Sequence, residues 1–296
     1  MNISVPLINV RHNGLGDAVV ACWIVRSARE AGVRVRLNAW SRREVAVMLG
    51  LEDHELTTDE SADVRLAPGN GEFALQSSLR MSVFDAWCRT LNLQGLAPVR
   101  PTYCELRQDG EWADVQWSTV DAEGEKPRVL IFPDAAWQIR AWPKAYYMDL
   151  ATALRDAGYA VAAMAASQAA VSYMPCHWWG GFSERQAAAM ARRAMLVVAN
   201  ESGPSHLAAA IGTRTLTICG PTDPGIIFAH EPNVQTARLD AGTLACVGCH
   251  FSQEHGYRRA CDGGECQALM RLDPFTVTKR IVATVSARRR VSEVSG

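Results

Sequence analysis

Four stretches of the chain carry residue types whose spacing suits chemistry. In Asn200 to Gly212, NESGPSHLAAAIG, an apolar run gives way to small residues and a proline, which is well tolerated in the first turn of a helix. The free N–H groups and positive dipole end of a helix starting near Pro204 attract phosphate oxygens. Ser202 and Ser205 add hydroxyl donors, and Gly203 lets a ligand come close to the backbone. His206 has ring nitrogens that either donate to a phosphate or pack on a neighbouring loop. One such turn is an ordinary helix cap. A second loop, GPTDP, follows the next strand, so Gly220, Thr222 and Asp223 converge with the first loop on one edge of the sheet, Pro221 and Pro224 stiffening them.

The third stretch, HNGLGD, is a glycine turn in which Asn13, Gly14 and Gly16 lead to Asp17. That carboxylate either complements a helix dipole or takes a proton from a reacting hydroxyl. The fourth is Cys246-x2-Cys249-x11-Cys261-x4-Cys266, two close thiol pairs in the layout of a tetrahedral zinc or iron site, with His250 and His255 as reserve ligands. Disulfides and free thiols are the other readings. A site closed by four thiolates leaves no open position, so its role is structural.

These residues need a scaffold. Residues 5–10 read as a buried strand, 18–31 as a helix, 33–38 as a strand and 41–50 as a helix capped by Ser41. From Leu51 to Val120 the periodicity weakens, with a helix only at 82–91. The polar DAEGEKP (Asp121 to Pro127) reads as a linker. Beyond it come strand 128–132, loop 133–143, helix 144–157, strand 159–165, helix 183–193 with Ser183 as cap, and strand 195–199. WWGGFSE, with Trp178, Trp179 and Glu184, reads as a loop and helix start, or as lining for a ligand; a helix at 274–287 closes the pattern. Repeated βα units predict an α/β fold with parallel sheets in two Rossmann-like halves.

At 296 residues there is room for two domains. A net charge of −1 argues against a broad nucleic-acid or membrane footprint, and the ARRR run at 287–290 reads as a solvated helix end. No apolar run reaches the roughly 20 residues of a membrane span, and the start lacks the flank of a secretory signal, which predicts a cytoplasmic protein. Five of the nine cysteines, Cys22, Cys88, Cys104, Cys176 and Cys219, are scattered and read as small core residues of a reduced chain.

ESGPSHLAAAIGTRTLTICGPTDP resembles the nucleotide-sugar segment of the heptosyltransferase-like glycosyltransferases of family 9, which have the GT-B architecture of two facing Rossmann-like domains. HNGLGDAVVA resembles the family's N-terminal glycine turn, and FPDAAWQIRAWP (Phe132 to Pro143) the first loop of its C-terminal domain. The resemblance implies an acceptor domain at 1–122, a nucleotide-sugar domain at 128–275 with a cysteine-rich loop at 246–266, and a C-terminal helix and tail at 276–296.

It also implies an inverting transfer with no catalytic cofactor. In that reading Asp17 is the general base for the acceptor hydroxyl, Arg140 faces the diphosphate, and Trp142 serves packing. Glu201 stands where the family usually has aspartate, its carboxylate about 1.5 Å further out. ADP-heptose is the first donor the resemblance suggests, and a lipopolysaccharide-core saccharide or a protein hydroxyl the acceptor. Some members carry a similar cysteine-rich segment, in keeping with a structural zinc or iron. Two other readings stay open: a sugar-nucleotide epimerase, and a catalytically degenerate nucleotide-sugar-binding protein.

Overall fold

The computed structural model describes residues 5–10, 14–58, 64–65, 79–240, 242–251, 261 and 264–283. Asn13, His255 and the ARRR run lie outside them. The first sheet holds β1 (Leu7–Asn9), flanked in parallel by β2 (Arg36–Asn38) and β3 (Val64–Arg65), with Ile8 opposite both Leu37 and Val64. Between β1 and β2 runs α1 (Leu15–Glu30), whose Ala18–Val25 stretch is buried throughout.

The second helix, α2 (Arg43–Met48), starts later than its sequence suggests and is not capped by Ser41. Trp40 takes a left-handed φ of 43° and its N–H donates to Asn38 Oδ1, so a short 3₁₀ turn (Trp40–Arg42) occupies the expected first turn. The helix α3 (Val83–Thr90) is capped by Ser82, whose hydroxyl accepts from the Asp85 N–H at 3.0 Å.

A helix that the periodicity did not reveal, α4 (Arg107–Val120), precedes the linker. Its buried stripe is only Gly110, Ala113 and Trp117, and no side chain caps its start, so both usual signals are faint.

The larger sheet has six parallel strands in the order β6-β5-β4-β7-β8-β9. They are β4 (Arg128–Phe132), β5 (Ala160–Ala165), β6 (His177–Gly180), β7 (Leu196–Asn200), β8 (Thr215–Ile218) and β9 (Val234–Ala237). Counted within this half the order is 3-2-1-4-5-6, the doubly wound Rossmann arrangement. β5, β7 and β8 are buried along their whole length, as strands covered by helices on both faces must be. WWGG is therefore not a loop: it is the edge strand β6, paired to β5 with Trp178 opposite Ala163. Its aromatic pair suits a strand, but the following Gly180–Gly181 masks it as a turn.

The covering helices are α5 (Lys144–Asp156), α6 (Glu184–Arg193) and α7 (Gly203–Ala210), followed by the short α8 (Pro224–Ile227), α9 (Gln267–Met270) and α10 (274–283). Ser183 caps α6 reciprocally with Gln186. One buried cluster runs without a break from Ile8 and α1 through Trp117 to Leu130, Met190 and Leu207, so the two sheets share a core. α4 packs on α6, where the Trp117 indole N–H donates to Met190 O at 3.1 Å. Among the described residues no helix is long and apolar enough to cross a membrane.

Candidate functional site

In a parallel sheet the loops that follow two neighbouring strands part where the strand order reverses, leaving a crevice at their carboxyl ends. Here that switch point lies between β4 and β7. The loop after β4 brings Arg140; the loop after β7 brings Glu201 and the start of α7. Asn200, buried at the end of β7, staples the two together. Its side-chain oxygen accepts from the Trp142 N–H at 3.0 Å, and its amide donates to Pro133 O at 2.9 Å. Trp142 itself is core, its indole N–H donating to Leu272 O at 2.8 Å.

Arg140 ion-pairs with Glu201 at 3.0 Å, lies over the Trp137 ring at 4.4 Å, and has its other guanidinium nitrogen 3.3 Å from His250 Nε2. Burial alone would push the Glu201 carboxyl up. The Arg140 guanidinium and His206 overcome that and hold it at about 2, so Glu201 is ionised at any working pH.

His206 is buried between two carboxylates, with Nε2 3.7 Å from Glu201 and Nδ1 3.8 Å from Glu231. Phe228 covers its ring at 4.6 Å. Burial would lower its pKa, but Glu201 and Glu231 raise it to about 9. Glu231 was not legible as a site residue: it comes thirty positions after Glu201 in a loop with no motif. His250, a reserve metal ligand by sequence, is buried beside Arg140, its backbone N–H donating to Pro221 O at 2.8 Å.

The glycine turn meets this cluster from the other sheet. A Cβ on Gly16 would stand 2.8 Å from the His206 ring, and one on Gly203 would stand 2.6 Å from Leu15 Cβ. The close approach that Gly203 permits in this structure is therefore to α1. Asp17 caps its own helix by accepting from the Gly14 N–H at 3.1 Å. Burial raises its pKa, against the pull of that N–H, of His206 and of Arg140.

The remaining residues read from sequence converge in space, but several are engaged within the protein. Ser202 donates its hydroxyl to Asn200 O at 3.2 Å and Ser205 to Ser202 O at 2.7 Å, which ties both into the α7 cap. A Cβ on Gly220 would meet Leu269 and Cys266, so that glycine makes room for α9. Thr222 is fully buried. Asp223 caps α8 through the Gly225 N–H at 2.8 Å and ion-pairs with Arg80 and Arg238. Glu184 lies away from this cluster, paired with Arg42.

All four clustered cysteines are free thiols. The loop that carries the first pair is laid over GPTDP by the Gly248 N–H, which donates to Gly220 O at 3.1 Å. Burial raises the Cys249 thiol to about 11, with Cys266, Cys246 and Cys261 adding to the rise. Among the described residues no three potential ligands are arranged to hold an ion. The donor set has the chemistry of a thiolate site, but the arrangement of the described residues is not that of a closed one.

The family model of glycosyltransferase family 9 (heptosyltransferase) matches residues 101–255. Lipopolysaccharide heptosyltransferase 1 of Pseudomonas aeruginosa is 28% identical over 193 residues, 56% of this chain and 50% of that protein. The match thus spans half the length of that curated relative. Among solved structures, Escherichia coli ADP-heptose LPS heptosyltransferase II superposes with a TM-score of 0.62 at 15% identity, covering 97% of this chain and 100% of that one. The iron-containing dodecameric glycosyltransferase TibC from enterotoxigenic E. coli superposes with a TM-score of 0.70 at 14% identity, covering 98% of this chain and 81% of the other. TibC in complex with ADP-D-beta-D-heptose gives 0.67 at 14% identity, with 96% and 78% covered. At these identities the likeness is one of fold, and the fold is GT-B.

Proposed function

The chain belongs to glycosyltransferase family 9, and on that premise we propose that it is an inverting glycosyltransferase. It moves a sugar from a nucleotide-sugar donor, ADP-heptose first among the candidates, to a hydroxyl of a saccharide or protein. One observation carries this reading. Two carboxylates of the same cluster have opposite proton affinities, the half-buried Asp17 raised and the buried Glu201 held down. Such divergence is how acid–base assignments are made within one site.

Asp17 is then the base. It takes the acceptor proton while the acceptor oxygen forms a bond to the anomeric carbon and the bond from that carbon to the diphosphate oxygen breaks, inverting the centre. The departing nucleoside diphosphate carries the electron pair and is stabilised by Arg140 and by the Gly203 N–H and dipole at the start of α7, next to Thr222 and Asp223. Glu201, permanently charged, presets the guanidinium rather than exchanging protons. Acceptor binding falls to residues 1–122, with the turn at Asn13, Gly14 and Gly16, and donor binding to 128–275. Support comes from the family match and from a relative of the same fold that was solved with ADP-heptose.

The four cysteines belong to the same reading as a structural zinc or iron site, supported by their spacing and by the iron in TibC. Elemental analysis tests it, one ion per chain being the expected result.

The site as a whole is tested by a thermal-shift screen against ADP-, GDP- and UDP-sugars, because a ligand that binds only the folded state raises Tm. A rise with an ADP-sugar, followed by transfer and release of ADP, is the expected outcome. One observation favours the degenerate binder instead: Leu15 and Gly16 stand directly against Gly203 and His206, so a donor reaching Asp17 has to part or skirt that contact. Binding without turnover on any acceptor would decide for it.

A further inference from the structure

We propose that Glu231 is a positioning residue: together with Glu201 it clamps the His206 ring, so that a fixed cation stands at the first turn of α1 beside Asp17. The inference rests on the reading of Asp17 as base, and it goes beyond it by assigning a residue from a different loop.

The clamp is visible as geometry. Glu201 comes from the end of β7, His206 from the first turn of α7, and Glu231 from the loop between α8 and β9. The ring nitrogens face one carboxylate each, at 3.7 Å and 3.8 Å. Phe228 lies against the ring at 4.6 Å, and at Gly16 even a Cβ would collide with it. Glu231, His206 and Glu201 are all buried. Arg140 already pairs with Glu201 at 3.0 Å, which leaves His206 as the partner of the second buried carboxylate, Glu231.

Glu231 is held as firmly as it holds. Its N–H donates to Phe228 O at 3.1 Å and its carbonyl accepts from the Val234 N–H at 3.0 Å, which fixes the loop on both sides. The preceding residue, His230, reaches across to the first half, with Nε2 3.0 Å from Asp85 and 3.2 Å from the Ser82 hydroxyl. One short loop is thus tied to α3 of the first half while its carboxylate stands 3.8 Å from the His206 ring.

The charged groups around His206 are Asp17 on α1, Glu201 beside α7, Glu231 on its loop, and Arg140, which acts through Glu201. Burial raises Asp17's proton affinity, and the His206 cation is one of the groups opposing that rise. Removing a clamp carboxylate frees His206 to lose its proton, and Asp17 then picks one up at higher pH. A base that is protonated cannot accept the acceptor proton.

The test uses the full chain with ¹⁵N-labelled histidine, the His206 resonances being assigned by their loss in His206→Gln. In the parent, His206 is expected to stay doubly protonated through neutral pH and to titrate near pH 9. In Glu231→Gln the midpoint falls by about one unit or more, and Glu231→Asp restores most of it. In a transfer assay the acid limb of kcat/KM moves to higher pH in Glu231→Gln, with little change in donor KM; a purely structural role would not move the limb. A His206 that is neutral at pH 7 in the parent, or that titrates identically in both variants, overturns the clamp. Should Glu231→Gln not fold, the parent titration and Glu231→Asp decide alone. The spectroscopic arm needs no donor: a clamp without turnover on any acceptor counts against the transferase reading, and turnover with an unclamped His206 counts against this one.

Discussion

The start of α1 and the start of α7 are built alike and end up chemically opposed. Each follows a parallel strand at the centre of a sheet, each opens with small residues, and the two stand in contact through Leu15–Gly203 and Gly16–His206. Around α1 the dominant influence on Asp17 is burial, softened by a single backbone N–H and by more distant cations. Around α7 the carboxylate of Glu201 has a guanidinium at 3.0 Å and an imidazole beyond it. A strand–glycine–helix turn therefore fixes where a carboxylate sits, while the charges delivered by other loops decide whether it stores a proton or a permanent charge.

The contrast is broken most severely by removing the proton-storing member. Asp17→Ala is expected to lower turnover by about 10²–10⁴-fold while leaving donor affinity nearly intact, as steady-state kinetics and donor titration would show. Activity close to the parent's would take Asp17 out of the mechanism. On the other side, Arg140→Ala strands Glu201 as a buried charge. Denaturant unfolding should record a loss of about 3–5 kcal/mol, accompanied by weaker donor binding.

The pH dependence of stability separates the two sides without any mutation. The Glu201 carboxyl is depressed to about 2 from 4.5, so its contribution is complete above about pH 4.5 and disappears as pH falls towards 2. His206 is raised from 6.5 to about 9, so its contribution is complete below about pH 6.5 and disappears as pH rises through 9. Tm should therefore be highest between about pH 4.5 and 6.5 and fall on both flanks, as the unfolding free energy drops by on the order of 3 kcal/mol at each extreme. A Tm that keeps rising up to pH 9 would contradict the charged state of His206. The smallest effect is steric: Gly203→Ala drives a Cβ against Leu15 and should cost about 1–3 kcal/mol in urea unfolding. An equal or greater Tm would mean that the two helix starts are not in contact in solution.

Much of this arrangement was legible in the residues. The strand–helix alternation after Pro127 is strong because β4, β5 and β7 are short apolar runs closed by proline, serine or glycine signals, and Asn200 to Asp223 marked two loops on one edge of the sheet. What escaped has physical reasons. α4 buries only a narrow stripe, so its apolar period is faint. β6 is an edge strand disguised by two glycines. Glu231 and His250 act from loops whose positions follow from the tertiary fold alone, and the engagement of Ser202, Ser205 and Asp223 by backbone and neighbouring charges has no sequence signature. Asn200 belongs to a legible motif, but its work as a staple between two loops depends on the tertiary fold.

α4 carries a last consequence, for how the molecule divides into exchangeable parts. It precedes the polar connector at 121–127, yet its Trp117 is sealed against α6 over the six-stranded sheet. The seam in space and the seam along the chain therefore do not coincide. A chimera joined at residue 128 would import the six-stranded sheet stripped of one of its covering helices, whereas a junction near residue 101, where the family match also begins, transplants the sheet with that helix.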